Sequence, residues 1–268
     1  RSTLFPYTTL FRSPAGGRAS VPADSGRPGA AGTPVPALDP GLVQRFGLIF
    51  SRCPYGFDQP AVYHQAGFMH LDSQTMGALL ENGYRRNGNH MYTMHCPGCR
   101  GCVSIRLDPA QFRPNRNQKR VWRRNQDIVV QPGPLLMSRE HLSLLDKFLR
   151  IRFHNQDSQA ESYYSQFFLT TISPCFELRY WAGGVLVGVA IVDATPEWLN
   201  AVYFYFDPDQ GWRSPGTFNI LNLVRFCRQH GIPKLYLGYC IEGLLAMAYK
   251  KAFRPHELLL QGQWRRIA

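Results

Sequence analysis

Apolar side chains follow two distinct periods in the second half of the chain. Short apolar runs typical of strands surround Gly183-Gly184, a pair that favours a hairpin turn. Farther on, apolar positions recur at every third or fourth residue and stop at Gly231, as in an amphipathic helix with a glycine after its last turn. The predicted elements are strands at 176–181, 185–192 and 199–206, a helix at 217–230, a strand at 234–241, a helix at 242–253 and a strand at 258–264.

The first half has shorter and less regular patterns. Its most regular segment is 138–154, where Ser138 is a suitable N-cap and leucines follow at helical spacing. The predicted elements are a helix at 71–83, strands at 84–86 and 91–94 around a turn at 87–89, a strand at 103–107, and helices at 117–126 and 138–154.

The order of elements after residue 175 predicts an α+β fold. Three strands, a helix, a strand, a helix and a strand give a mixed, mainly antiparallel sheet with flanking helices. This order resembles the N-acetyltransferase-like fold, in which the start of a helix after the central strand holds the acyl donor.

Composition divides the chain into three parts. Residues 1–45 are rich in Gly, Pro, Ala and Ser without any helical or strand period, which predicts a disordered or artefactual extension. Within it, TLFPYTTLFRS at 3–13 resembles the translation of a sequencing adapter. Residues 46–134 form a Cys-containing and basic region, and we expect 135–268 to form the acetyltransferase-like domain.

Charge narrows the classes of partner. Among 268 residues, 30 Lys and Arg outnumber 18 Asp and Glu, so the net charge of +12 favours an anionic partner such as nucleic acid. No run of 18 apolar residues occurs, which excludes a membrane-spanning helix. Seven cysteines, three of them closely spaced, favour a reducing compartment, so we expect a cytoplasmic protein.

Three closely spaced cysteines predict a metal site. Cys96, Cys99 and Cys102 are separated by two residues each, a spacing at which thiolates on tight turns share one soft ion. Cys53 is a candidate fourth ligand, although His95 could compete with it. The spacing does not separate an iron–sulfur cluster from zinc, and three partly buried structural thiols are the alternative.

The segment 113–124 predicts a nucleic-acid contact. It contains six cations and no carboxylate, and several recur at helical spacing, so one helix face could follow a phosphate backbone. Trp122 could stack on an unpaired base, whereas a solvated charged face is the alternative interpretation. The candidate cations are Arg113, Arg116, Lys119, Arg120, Arg123 and Arg124.

Several blocks in a fixed order resemble the aminoacyl-tRNA–protein transferases, and most closely their bacterial aspartate/glutamate leucyltransferase branch. The resemblance extends from about residue 50 to 264. The blocks are GYRRNG at 83–88, CPGCRGCVSIR at 96–106, FRPNRNQKR at 112–120, YFYFDP at 203–208, SPGTF at 214–218, LGY at 237–239 and MAYKKAFRP at 247–255.

The resemblance implies a tandem acetyltransferase-like fold and transfer of an amino acid from aminoacyl-tRNA to acidic protein N-termini, which marks them for degradation. It implies leucyl-tRNA as donor and no required cofactor, with arginyl transfer as an alternative. A non-catalytic zinc-containing RNA-binding module and a coenzyme A-dependent N-acyltransferase are further alternatives.

Transfer from an activated ester requires alignment, removal of a proton from the amine and stabilisation of an oxyanion. The candidate catalytic residues are Asp207, Tyr239 and His90. An acidic acceptor also requires cations, for which the candidates are Arg86, Lys250 and Arg254.

Overall fold

A computed structural model describes residues 32–152 and 159–268. The predicted extension up to residue 31 and the last two residues of the helix predicted at 138–154 lie outside the described residues. The strands are β1 Thr33–Pro34, β2 Gly47–Arg52, β3 Pro60–Gly67, β4 Arg85–Asn87, β5 His90–Met94, β6 Val103–Leu107, β7 Ile128–Gly133, β8 Cys175–Ala182, β9 Val185–Ala194, β10 Leu199–Phe206, β11 Leu235–Cys240, β12 His256–Leu260 and β13 Gln263–Ile267. The helices are α1 Pro40–Gln44, α2 Ser73–Glu81, α3 Arg116–Arg124, α4 Arg139–Arg152, α5 Ala160–Phe167, α6 Pro215–His230 and α7 Leu245–Ala248.

Within these ranges the strands form two sheets. The large sheet has the order β1-β13-β12-β6-β11-β10-β9-β8-β7, and the small sheet has the order β2-β3-β5-β4. Neighbouring strands are antiparallel except for the pair β10 and β11, which is parallel. The predicted α+β class, with a mixed and mainly antiparallel sheet and flanking helices, is confirmed.

Strand β9 shows how the large sheet is covered on both faces. Because successive side chains of a strand point to opposite faces, Ala190 and Val192 pack with α3 and α6, whereas Val189 and Ile191 pack with α4 and α5. The apolar run of β9 is buried from residue 186 onward except at its last residue, as expected of a strand covered on both faces.

The parallel strands β10 and β11 diverge soon after they begin. They pair only at Leu199 with Leu235 and at Asn200 with Tyr236, and β10 has an irregularity between Ala201 and Tyr203. Beyond these pairs the two strands are no longer paired, which leaves a gap between them in the sheet. The start of α6 lies beside this gap, because β10 leads into α6 through a 3₁₀ turn at Pro208–Arg213.

The structure corrects three boundaries. Part of the predicted extension belongs to the fold, since β1 pairs with β13 and Leu42 of α1 packs into a core cluster. The predicted boundary between the regions 46–134 and 135–268 does not separate the two sheets, because β6 and β7 lie in the large sheet with the later strands. The helix predicted at 242–253 is shorter, since Gly243 adopts φ +78° and α7 passes into a 3₁₀ turn at Tyr249–Ala252.

Candidate functional site

A cavity of about 390 Å³ occupies the gap between β10 and β11. Side chains from both faces of the large sheet and from the small sheet line it, so that the start of α6 and the chain around α7 meet β4 and β5 there. The residues that carry the argument below are Arg85, Arg86, Phe148, Phe167, Phe168, Tyr203, Phe206, Gly216, Thr217, Met247, Tyr249 and Lys250.

One wall of the cavity is aromatic. The ring of Phe148 from α4 lies 5.3 Å from that of Phe206 and 6.3 Å from that of Tyr203, measured between ring centroids. Phe168 lies 5.1 Å from Tyr203 and extends the same wall. Such a surface favours an apolar side chain, because water leaves both surfaces on contact.

Two cations, Arg85 and Lys250, form the opposite corner. The Arg85 guanidinium lies 5.0 Å from the ring centroid of Tyr239 and against Gly238, where a Cβ atom would be only 2.5 Å from Arg85 Cζ. Lys250 Nζ donates hydrogen bonds of 2.8 Å to the carbonyl oxygens of both Leu237 and Tyr239. Burial, and secondarily the charge of Arg85, lower the pKa of Lys250 to about 7.

Arg86 also lines the cavity, but its guanidinium is committed to the protein interior. Its Nε lies 2.9 Å from a carboxylate oxygen of Asp193, and both side chains are fully buried. Its other nitrogens donate to the carbonyl oxygens of Gly88 and Phe168 and to Cys175 Sγ. This arrangement indicates that Arg86 joins β4 to β9, in contrast to the acceptor-binding role predicted for it.

No Asp or Glu is present among the described residues that line the cavity. Its three charged side chains, Arg85, Arg86 and Lys250, are all cationic, although Asp193 balances Arg86 from behind. The interior is therefore suited to an anion beside an apolar group, and it is unsuited to a second cation.

The three candidate catalytic residues lie outside this lining. Asp207 caps the 3₁₀ turn by accepting from the Asp209 N–H at 3.0 Å, and it pairs with Lys147. Tyr239 is buried behind Arg85, and burial raises its pKa well above the usual value. His90 lies on β5 against Gly67.

Arg254, another candidate for binding the acceptor, lies in a different environment from Lys250. It is exposed, it does not line the cavity, and its guanidinium contacts the carbonyl oxygen of Ala268 at the end of the chain. The sequence analysis assigned both Lys250 and Arg254 to binding of the acceptor carboxylate, but only Lys250 lines the cavity.

The predicted basic helix is α3, and it carries its cations on one exposed face. A capping box between Asn115 and Gln118 fixes its start, while Gln118 and Val121 are buried beneath it. No ion pair between described residues involves the cations of this face. Four of them surround a shallow surface depression: Arg116, Lys119, Arg120 and Arg123.

The two remaining cations of the predicted set are partly engaged with the main chain. Arg113 donates to the carbonyl oxygens of Ala110 and Phe112 at 2.8 and 2.9 Å. Arg124 donates to the carbonyl oxygen of Trp212. Both remain exposed, so they extend the same positive surface.

A groove of about 400 Å³ separates α3 from α6. Trp122 lies along it, 5.6 Å from the ring of Phe218 and beneath Arg225. On α6 the groove is bordered by residues between 221 and 229, beyond the first turn of the helix that borders the cavity.

The four candidate metal ligands lie near one another without forming a ligand set. Burial raises the pKa of the Cys102 thiol, and the charges of Cys96, Cys53 and Cys99 raise it further. Cys99 Sγ accepts hydrogen bonds from Gln59 Nε2 at 2.9 Å and from the Gly101 N–H. Among residues 32–152 and 159–268 no three His, Cys, Asp or Glu side chains are arranged to hold a metal ion. The structure therefore gives no support to the predicted iron–sulfur cluster or zinc.

Sequence reasoning missed Arg85 and Gly238. The pair Arg85-Arg86 stands in one of the family-like blocks, but only the packing of the small sheet determines which guanidinium faces the cavity. Gly238 adopts φ +74° in the middle of β11, and a glycine inside an apolar strand is the signal that could have revealed it.

No helix in the described part of the chain is long and apolar enough to cross a bilayer. Two solved structures overlap weakly with this fold. The C-terminal domain of a lysylphosphatidylglycerol synthetase from Agrobacterium fabrum gives a TM-score of 0.43 at 12% identity, covering 74% of this chain and 71% of that one. A second structure, of L-PGS from Bacillus licheniformis, has the same score and identity and covers 76% and 66%.

Sequence comparison gives a stronger result. Models of the arginine-tRNA-protein transferase N terminus and C terminus match residues 51–120 and 140–260. An aspartate/glutamate leucyltransferase from Methylobacillus flagellatus is 33% identical over 228 residues, 84% of this chain and 92% of that protein. Another from Halorhodospira halophila is 38% identical over 203 residues, 74% and 85% respectively. The matched segments include the cationic corner, the gap between β10 and β11 and most of α3. These matches show that the chain belongs to the arginine-tRNA-protein transferase family.

Proposed function

We propose that this protein transfers leucine from leucyl-tRNA to the α-amino group of proteins that begin with Asp or Glu, and thereby marks them for degradation. The observation that carries the proposal is the pairing, in one cavity, of an aromatic wall with a cationic corner and no lining carboxylate. The names of the relatives agree with it.

The charge of the lining supports leucine over arginine as the amino acid transferred. An arginyl side chain in this cavity would lose its hydration without gaining a carboxylate partner, and it would face Arg85 and Lys250. A leucyl side chain needs only apolar contact, which Phe148, Phe168 and Phe206 supply.

The acceptor is bound through its acidic first residue. Arg85 is suited to hold the carboxylate, because a guanidinium can bind both of its oxygens, and Lys250 adds positive charge nearby when it is protonated. The first turn of α6 offers main-chain N–H groups at Gly216 and Thr217, which lack helical acceptors and could stabilise the oxyanion formed from the ester.

The tRNA lies along α3. Its phosphates contact the exposed cations of this helix, and Trp122 in the neighbouring groove offers a ring on which an unpaired base can stack. Because the ester is already activated, the chemistry requires no cofactor, and we expect transfer to survive treatment with a metal chelator.

Mass spectrometry tests the proposal directly. The full chain is incubated with leucyl-tRNA or arginyl-tRNA and with otherwise identical peptides that begin with Asp, Glu or Ala. We expect one added leucine on the Asp and Glu peptides and none on the Ala peptide. Addition of arginine alone, or of acetyl from acetyl-coenzyme A, would overturn it. Tight tRNA binding without any product would favour a non-catalytic RNA-binding module.

A further inference from the structure

Lys250 occupies an unusual position for a lysine. Lys250 lines the cavity, and its Nζ donates hydrogen bonds to two carbonyl oxygens of β11, those of Leu237 and Tyr239. These carbonyls belong to the stretch of β11 that no longer pairs with β10, because the two strands diverge after Asn200 and Tyr236. Lys250 therefore supplies hydrogen bonds that a neighbouring strand would otherwise provide.

The bonds around the amine nitrogen indicate that it can also accept a proton. A neutral lysine amine carries two protons and one lone pair around its nitrogen. Two carbonyl oxygens at 2.8 Å accept both protons, so the remaining position on Nζ is a lone pair within the cavity lining. Building on the proposed function, we infer that Lys250 is the catalytic base that takes the proton from the acceptor amine as it attacks the ester.

The surroundings leave a substantial fraction of this amine neutral near physiological pH. Burial, and then Arg85, lower the pKa of Lys250 to about 7. Tyr92 of β5 and Tyr239 of β11 are titratable groups on the packed strands. Burial raises the pKa of both phenols, and it also raises that of the Cys240 thiol, so all three stay uncharged at neutral pH.

The step balances as follows. The acceptor nitrogen forms a bond to the ester carbonyl carbon, and the π electrons move to the carbonyl oxygen. Lys250 Nζ takes one proton from the attacking nitrogen and becomes an ammonium ion. When the oxyanion collapses, the bond to the tRNA ribose oxygen breaks, and that oxygen takes the proton from Lys250. The products are an amide and a ribose hydroxyl, and Lys250 is neutral again.

A purely structural role for Lys250 is the main alternative, and Lys250→Arg separates the two. Arginine can still donate to both carbonyls and still carries positive charge for an acceptor carboxylate, but it has no lone pair available at any accessible pH. The matched control is Lys251→Arg, since Lys251 pairs with Glu242 and does not line the cavity.

The measurement is kcat for leucine transfer to an Asp-initiated peptide between pH 5.5 and 8.5. The ratio of wild-type kcat to that of Lys250→Arg cancels titration of the acceptor amine. Loss of a general base reduces kcat about 10²- to 10⁴-fold. We therefore expect a ratio of about that size above pH 7.5, falling tenfold per pH unit below about 7, with the peptide KM changed less than about threefold. A ratio that does not depend on pH would overturn the inference.

A second variant covers the case in which Lys250→Arg distorts the cavity. Lys250→Ala leaves room for a small alkylamine, and we expect ethylamine to restore part of its kcat with a dependence on free amine concentration. If circular dichroism shows a folded Lys250→Ala protein that ethylamine does not rescue, Lys250 is not the base. Because wild-type leucine addition is measured in the same series, failure of this inference is distinguishable from failure of the proposed function.

Discussion

At the scale of single residues, Gly238 links the backbone of β11 to the position of Arg85. Its φ of +74° costs any other residue about 1–2 kcal/mol of folding free energy, and a Cβ atom there would lie 2.5 Å from Arg85 Cζ. We expect Gly238→Ala to displace the guanidinium and raise KM for Asp-initiated peptides at least tenfold.

The matched control for this substitution is Gly183→Ala. Gly183 also has a positive φ, +54°, but an added Cβ would meet open space. Both variants should lose stability in urea denaturation, whereas only Gly238→Ala should lose affinity for the acceptor. Equal KM values in the two variants would show that Arg85 does not hold the acceptor.

At the scale of elements, α3 provides a quantitative test of tRNA binding. Each phosphate contact that is removed should flatten the dependence of log K on log salt concentration by about 0.7 to 0.9. We expect Lys119→Ala combined with Arg120→Ala to reduce this slope by nearly twice that amount in filter-binding titrations. Arg139→Ala is the control, because α4 covers the opposite face of the sheet. An unchanged slope would mean that α3 is only a solvated surface.

The elements also show what the sequence could predict. The structure confirms a helix within the predicted basic segment, because its start depends on local hydrogen bonds between Asn115 and Gln118. The hairpin at Gly183-Gly184 is equally local, and both glycines have positive φ. By contrast, the final strand predicted at 258–264 is two strands, since Gln261 and Gly262 form a turn at positive φ between them.

The site was harder to predict because it depends on contacts between distant segments. Arg85 and Arg86 are adjacent, and alternation along β4 sends them in opposite directions, but only the packing of the small sheet on the large one decides which is buried with Asp193. The sequence singles out Lys250 as a candidate for binding the acceptor, whereas its contacts with β11 follow from the divergence of β10, which no local pattern encodes.

At the scale of the whole molecule, the ion pair between Arg86 and Asp193 joins the small sheet to the large one. Both side chains are fully buried, so removing one partner leaves an uncompensated charge. We expect Arg86→Met to lower the free energy of unfolding by about 3–5 kcal/mol in urea titrations.

The double variant Arg86→Met with Asp193→Asn should recover part of this loss, because no buried charge then remains and Asn200 can still bond to position 193. Arg139→Met, at an exposed position, should change stability by less than about 0.5 kcal/mol. A single variant as stable as this control would show that the pair does not hold the sheets together.

The cationic corner also determines how many times one acceptor can react. An acceptor enters with a carboxylate for Arg85, but the product begins with leucine and has no anionic side chain to offer. Each product therefore lacks the carboxylate through which its precursor was bound. The reaction should then stop after the addition of one leucine, and no other feature of the protein is needed to stop it. Long incubations with excess leucyl-tRNA should give one discrete mass increment, whereas a ladder of products would mean that selection does not depend on this corner.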